Sequence, residues 1–267
     1  MSYKMIVLDI DGTLTNSKKE ITPRTKAILK KAQEQGIILA LASGRPIVGL
    51  RKFSHELELE SHHGLLLAYN GGRVMDVQTN ELLYEKLIPL DQAITLLKHF
   101  EQFPVNPMVT DDSYLYVPDI NGYKVDYEKN INGLPVKEVG RLSEALDFSP
   151  VKVLLSAPND ILLSIMDELR RPYEEKYSFI MSESFFLECN MKGISKGSSL
   201  AKICAQRKIL PEEVIAFGDA PNDLSTVKFA GIGVAMGNAC EELKEIADKI
   251  TLTNDEDGVA AVLEEYI

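Results

Sequence analysis

Four stretches of this 267-residue chain are apolar at every position: Met5-Ile6-Val7-Leu8, Ile37-Ile38-Leu39-Ala40-Leu41-Ala42, Leu65-Leu66-Leu67-Ala68 and Val214-Ile215-Ala216-Phe217. A strand with one face in water alternates apolar and polar residues. An unbroken apolar run of four to six residues belongs to a strand covered on both faces, as in a parallel sheet flanked by helices. Helix signals fill the gaps between these runs. Thr22-Pro23, then Arg24 to Gln35, then Gly36 supplies an N-cap, a proline at the first helical position and a glycine past the end. The fold class expected is α/β, a parallel-sheet core with helices on both faces.

The alternation is interrupted. From about Leu83 to Cys189 aromatics become common and prolines recur (Pro104, Pro107, Pro118, Pro135), while strand-like pieces such as Tyr114-Leu115-Tyr116 mix with helices at Asp91 to Phe100 and Asp160 to Arg170. The opening texture then resumes. A helix begins at Lys196, the buried strand Val214 to Phe217 follows, and a short strand runs from Ile232 to Ala235. The expected organisation is one core domain, residues 1–82 and 190–267, split by an inserted α+β domain, residues 83–189.

The net charge of −11 argues against nucleic acid or an anionic membrane surface as the main partner. No apolar run approaches the ~20 residues needed to cross a bilayer, and the N-terminus enters a strand without a secretory-signal pattern. The three cysteines, Cys189, Cys204 and Cys240, are odd in number and lack a pairing motif. They are expected to be reduced, and the protein cytoplasmic. Basic residues crowd the first helix (Lys18, Lys19, Arg24, Lys26, Lys30, Lys31), where a solvated face accounts for them. His62-His63 reads as a solvated loop. Gly231-Ile232-Gly233 with Gly237 has the wrong spacing for a dinucleotide fingerprint.

The chemistry collects where the apolar runs stop. Met5 to Leu8 ends in Asp9-Ile10-Asp11-Gly12-Thr13, Ile37 to Ala42 in Ser43-Gly44-Arg45-Pro46, and Val214 to Phe217 in Gly218-Asp219-Ala220-Pro221-Asn222-Asp223. In an open parallel sheet, ligands bind beyond the carboxyl ends of the strands where the strand order reverses, so the three clusters should meet at one edge. Four carboxylates repel one another unless a cation joins them. Oxygen-only donors point to Mg²⁺, and no histidine lies within these clusters to suggest zinc. With Mg²⁺ and the Lys196 ammonium present, the edge becomes a pocket for a dianion, phosphate above all. The Ser43 hydroxyl and Gly44 amide can donate to its oxygens.

Taken in order, Asp9-Ile10-Asp11-Gly12-Thr13-Leu14, Ser43-Gly44-Arg45, Lys196 and Gly218-Asp219-Ala220-Pro221-Asn222-Asp223 resemble the four motifs of the haloacid dehalogenase superfamily of phosphotransferases. Tyr69-Asn70-Gly71-Gly72, Ala235-Met236-Gly237-Asn238-Ala239 and Thr253-Asn254-Asp255-Glu256-Asp257-Gly258-Val259 support the likeness. With a large insert between the second and third motifs, the chain looks like the Cof-type branch, which implies a Rossmann-like core and an α/β cap that sets substrate specificity. Ser43 stands where many members of the family carry Thr, and a serine donates equally well.

The resemblance implies a role for each position. Asp9 is the nucleophile and Asp11 the general acid and base. Asp9, the Asp11 backbone carbonyl and Asp219 bind Mg²⁺, with Asp223 nearby, while Ser43, Gly44, Lys196 and Asn222 hold phosphate oxygens. Thr13 orients Asp11 or caps the next turn. Arg45 pairs with a carboxylate or reaches the substrate. The function implied is a Mg²⁺-dependent phosphatase of small soluble phosphomonoesters, sugar phosphates first among them, working through an aspartyl-phosphate. The same motifs fit a phosphomutase using that intermediate. A non-catalytic phospho-ligand sensor fits less well, because binding alone has no need of an acid/base residue beside a nucleophile.

Overall fold

The strand Met5–Leu8 has no exposed residue and is paired on both sides. In the computed structural model, which describes residues 3–267, it runs parallel to Ile38–Ala42, with Met5 opposite Ile38 and Leu8 opposite Leu41. On its other side lies Val214–Gly218, also parallel, with Met5 opposite Val214 and Leu8 opposite Phe217. The chain leaves this strand toward one neighbour and returns much later to the other. The strand order therefore reverses at Met5–Leu8, the position where α/β sheets open a crevice beyond their carboxyl ends.

The full sheet has eight strands: Lys249–Ile250, Ile232–Ala235, Val214–Gly218, Met5–Leu8, Ile38–Ala42, Leu65–Ala68, Arg73–Asp76 and Leu82–Glu85. The first six are parallel, and the last two form an antiparallel extension. One face carries Met5, Val7, Ala40, Ala42, Val214 and Ala216, packed against Leu200, Ile203 and Cys204 of the helix Lys196–Arg207. Burying each such side chain contributes about 1.5–3 kcal/mol, which anchors that helix with its first turn at the carboxyl end of the sheet. The fold is α/β and Rossmann-like.

The chain forms two compact units, Met1–Glu85 with Ser195–Ile267, and Lys86–Ile194. Leu82–Glu85 completes the first sheet, and Phe186–Met191 pairs within the second unit. The passages between units thus fall a few residues past the 82/83 and 189/190 of the sequence reading. The second unit has a six-stranded sheet in the order Tyr177–Glu183, Phe186–Met191, Lys152–Ser156, Asn106–Thr110, Leu115–Val117 and Val136–Glu138. Its apolar face carries Val153, Leu155, Leu187 and Cys189 under Leu96, Leu97, Phe100, Leu162 and Leu169 from the helices Leu90–Phe100 and Asn159–Arg170. By strand alternation the opposite face carries Lys152, Ser156, Glu188 and Asn190, all buried, with Lys152 Nζ 2.6 Å from Glu188 Oε1. Cys189 and Cys204 are free and buried, and Cys240 is free and half-buried. Among the described residues no helix is long and apolar enough to cross a membrane.

Candidate active site

Lys196 is the hub. Ser195, the N-cap of the helix Lys196–Arg207, accepts from the Ser198 amide, and the Ser198 hydroxyl in turn accepts from the Ser195 amide. This reciprocal pair fixes the first turn and with it the direction of the Lys196 side chain. The lysine has no exposed surface. Its Nζ donates to Asp9 Oδ1 at 2.5 Å and to Asp223 Oδ1 at 2.6 Å. An ammonium withdrawn from water to this extent persists only when paired. Burial opposes its charge, but the Asp223 and Asp9 carboxylates on either side hold its pKa well above the ordinary lysine value.

Asp9, Asp219 and Asp223 come together beyond the strands Met5–Leu8 and Val214–Gly218, each with a carboxylate oxygen within 4.8 Å of the others. Asp223 is fully engaged: one oxygen serves Lys196, and Oδ2 accepts from the amides of Asp219 (3.0 Å) and Ala220 (3.1 Å). Asp219 Oδ1 accepts from the Thr13 hydroxyl at 2.8 Å. Thr13 therefore orients Asp219, where the sequence pointed to Asp11 or a turn cap. Among the described residues, Asp9 Oδ2 and Asp219 Oδ2 accept no hydrogen bond. Gly12, at φ +87°, passes so close that a β-carbon there would lie 2.4 Å from Asp219 Oδ2.

Three carboxylates against one ammonium leave the cluster two positive charges short. Burial, with Asp223 and Asp219 adding to it, pushes Asp9 up to about 8 despite Lys196. Burial, with Asp223 and then Asp11, pushes Asp219 up to about 6. Three carboxylates around one ammonium, with two oxygens left over, form an oxygen-only donor set that suits a hard divalent cation such as Mg²⁺.

Asp11 stands apart from this trio. Arg45 grips it two-pronged, Nε to Oδ2 at 2.9 Å and Nη2 to Oδ1 at 2.8 Å, and Lys19 Nζ donates to Oδ1 at 2.7 Å. Against the upward pull of burial, Arg45 and Lys19 hold its pKa below the usual carboxylate range. Of the two partners foreseen for Arg45, the structure shows the carboxylate. Lys19, expected on a solvated face, instead reaches the Asp11 carboxylate. It bends back through a left-handed backbone (φ 62°) at the end of the loop after Asp11, and a single lysine gives no sequence signal for that return.

Ser43 is buried, and its hydroxyl accepts from the Arg45 amide at 3.3 Å. Its carbonyl accepts from the Asn70 amide at 2.8 Å, and Asn70 Oδ1 accepts from Asn222 Nδ2 at 2.9 Å. Asn70 sits in a run of left-handed residues, Tyr69 (φ 54°), Asn70 (φ 55°) and Gly71 (φ 90°). A β-carbon on Gly44 would lie 3.2 Å from the side-chain Nδ2 of Asn70. The Ser43-Gly44-Arg45 and Asn222 segments are thereby tied together through a turn that the sequence marked only as a turn.

A parallel α/β sheet with carboxylates and a buried lysine gathered beyond its carboxyl ends defines an enzyme built to act on an anion. The chain belongs to the haloacid dehalogenase-like hydrolase family, whose family model matches residues 6–263. It is similar to the Bacillus subtilis protein named "Putative phosphatase YxeH", 32% identical over 99% of this chain and 98% of that one. It is also similar to 5-amino-6-(5-phospho-D-ribitylamino)uracil phosphatase YitU of the same organism, 32% identical over 98% of this chain and 97% of that one. Among solved structures, a haloacid dehalogenase-like hydrolase from Bacteroides thetaiotaomicron superposes with a TM-score of 0.95 at 39% identity, covering 100% of both chains. The chain is a phosphoric monoester hydrolase, a phosphatase of small phosphorylated molecules.

Proposed function

We propose that this phosphatase hydrolyses sugar or polyol phosphates in a Mg²⁺-dependent reaction through an aspartyl-phosphate on Asp9. The observation that carries this reading is the buried Lys196 ammonium clasping Asp9 and Asp223 beside Asp219. Asp9 Oδ2, Asp219 Oδ2 and the Asp11 carbonyl would hold the metal, with Asp223 fixing Lys196 and the Asp219 loop. When bound, Mg²⁺ offsets the repulsion between an anionic nucleophile and a phosphate dianion.

In the first half-reaction an Asp9 oxygen attacks phosphorus, the bond from phosphorus to the ester oxygen breaks, and Asp11, protonated once released from Arg45, gives its proton to the departing alkoxide. In the second, water attacks the phosphorus of the acyl phosphate and yields a proton to the Asp11 carboxylate. The bond from phosphorus to Asp9 breaks, and inorganic phosphate leaves. Ser43, Gly44, Asn222 and Lys196 hold the phosphoryl oxygens as charge shifts between them. The unit Lys86–Ile194 acts as the cap that selects the leaving group. The polyol preference draws on the phosphoribityl group in the name of one relative.

The experiment is phosphate release from a panel of hexose, pentose and pentitol phosphates, with Mg²⁺ and with EDTA. Expected are turnover of polyol esters, loss with EDTA and recovery with Mg²⁺, and a fall of at least about a thousand-fold in Asp9→Ala. Unchanged turnover in Asp9→Ala would sink the mechanism. A panel in which only non-sugar phosphates turn over would sink the substrate class.

A further inference from the structure

Asp11 carries the acid/base work in the reading above, yet it lies just beyond a strand, in a loop that has to hold its place. Within the loop, the Leu14 amide donates to Asp9 O at 3.1 Å and the Thr15 amide to Ile10 O at 3.0 Å. Beyond the Arg45 and Lys19 contacts to Asp11 itself, further support comes from the far end of the sequence. Asn238 Nδ2 donates to Gly12 O at 2.8 Å, and Asn254 Nδ2 donates to Thr15 O at 2.8 Å. The two asparagines are joined to each other, the Asn254 amide donating to Asn238 Oδ1 at 3.0 Å. One residue further on, Asp255 accepts from the Ser17 amide (2.7 Å) and hydroxyl (2.5 Å), and Asp257 accepts from the Thr22 hydroxyl. The segments 238 and 254–257 thus follow the 12–22 loop rung by rung.

We propose that Asn238 and Asn254 are positioning residues for the general acid, gripping the backbone that follows Asp11 at Gly12 and Thr15 so that its carboxyl meets the leaving oxygen. Neither contacts the Asp9, Asp219, Asp223 or Lys196 side chains through a hydrogen bond. Their effect reaches the chemistry through Gly12 O and Thr15 O, in the turn directly after the aspartate whose proton transfer depends on placement. Hydrogen bonds at an exposed loop add little to global stability, so a ladder of four residues following one catalytic loop is better explained by geometry than by stability. Small displacements of a reacting group cost rate steeply.

The inference rests on the assignment of Asp11 as acid, and the test separates the two. With Mg²⁺, kcat/KM is measured for a hexose 6-phosphate, whose alkoxide needs a proton to leave, and for p-nitrophenyl phosphate, whose phenolate leaves without one. Asn254→Ala and Asn238→Ala are expected to lose about ten-fold on the sugar phosphate and less than about three-fold on the aryl phosphate. Asn254→Ser, which keeps a polar surface, serves as a second variant should either alanine form fail to fold. Equal losses on both substrates, or no loss on the sugar phosphate, would overturn the positioning role. Asp11→Asn is the reference. If it shows the split between substrates and the asparagine variants do not, the clamp alone fails. If Asp11→Asn shows no split, the acid assignment and the clamp fail together.

Discussion

At the scale of single residues, the site depends on atoms that support other atoms. The Thr13 hydroxyl occupies one oxygen of Asp219 and so directs the other outward. Thr13→Val keeps the volume and removes that donor, a loss of about 1 kcal/mol in the orientation of the carboxylate. Half-maximal activation is then expected to need several-fold more Mg²⁺, read from a metal titration of phosphate release. Asp76, away from the site, tests an electrostatic account. Against the upward pull of burial, the Thr79 amide, the Arg207 guanidinium and the Gln78 amide hold its pKa below the ordinary aspartate value. A carboxylate with a lowered native pKa stabilises the fold above its unfolded value and loses that contribution as pH falls through the native one. Asp76→Asn is therefore expected to cost about 2 kcal/mol at pH 7 and progressively less at an acid pH below the ordinary aspartate value. Urea unfolding of both proteins at the two pH values checks this, and a gap unchanged by pH would contradict it.

At the scale of elements, the helix Lys196–Arg207 delivers its lysine only because of how closely it lies on its neighbour. At Gly197 a β-carbon would come within 2.2 Å of the Ser225 carbonyl oxygen, backbone against backbone. Gly197→Ala must push the helix start outward and draw the ammonium off Asp9. A fall in kcat of about a hundred-fold is expected, with a smaller change in the melting temperature. In the second unit, the buried Lys152–Glu188 pair joins adjacent strands. Lys152→Met leaves a buried carboxylate alone and should cost about 3–5 kcal/mol, whereas Lys152→Met with Glu188→Leu should recover most of it, by denaturant unfolding. The strands and main helices were legible in the sequence because unbroken apolar runs and caps act locally. Asp9, Asp219, Asp223 and Lys196 were legible as a group because strand ends bring distant residues to one rim. Which carboxylate Arg45 takes, the Lys19 contact with Asp11, the Thr13 contact with Asp219 and the ladder from Asn238 to Asp257 were not. Each depends on where a loop returns in space, and single polar residues in loops carry no period to read.

At the scale of the whole molecule, the two units have separate cores, while every carboxylate of the candidate metal site belongs to the first. A ligand that binds only the native state adds stability by mass action, about 2.7 kcal/mol at a hundred times its dissociation constant. Saturating Mg²⁺ is expected to raise the melting temperature of the protein and to leave that of Asp219→Ala nearly unchanged, by scanning calorimetry. The strand Met5–Leu8 carries Asp9, yet one of its two partners, Val214–Gly218, is separated from it by the entire second unit. During synthesis on the ribosome, then, the central strand of the sheet waits with an open edge until roughly four-fifths of the polypeptide has emerged. Newly made chains are exposed to mispairing for most of their birth, and a phosphate-cleaving centre comes into being only in its closing moments.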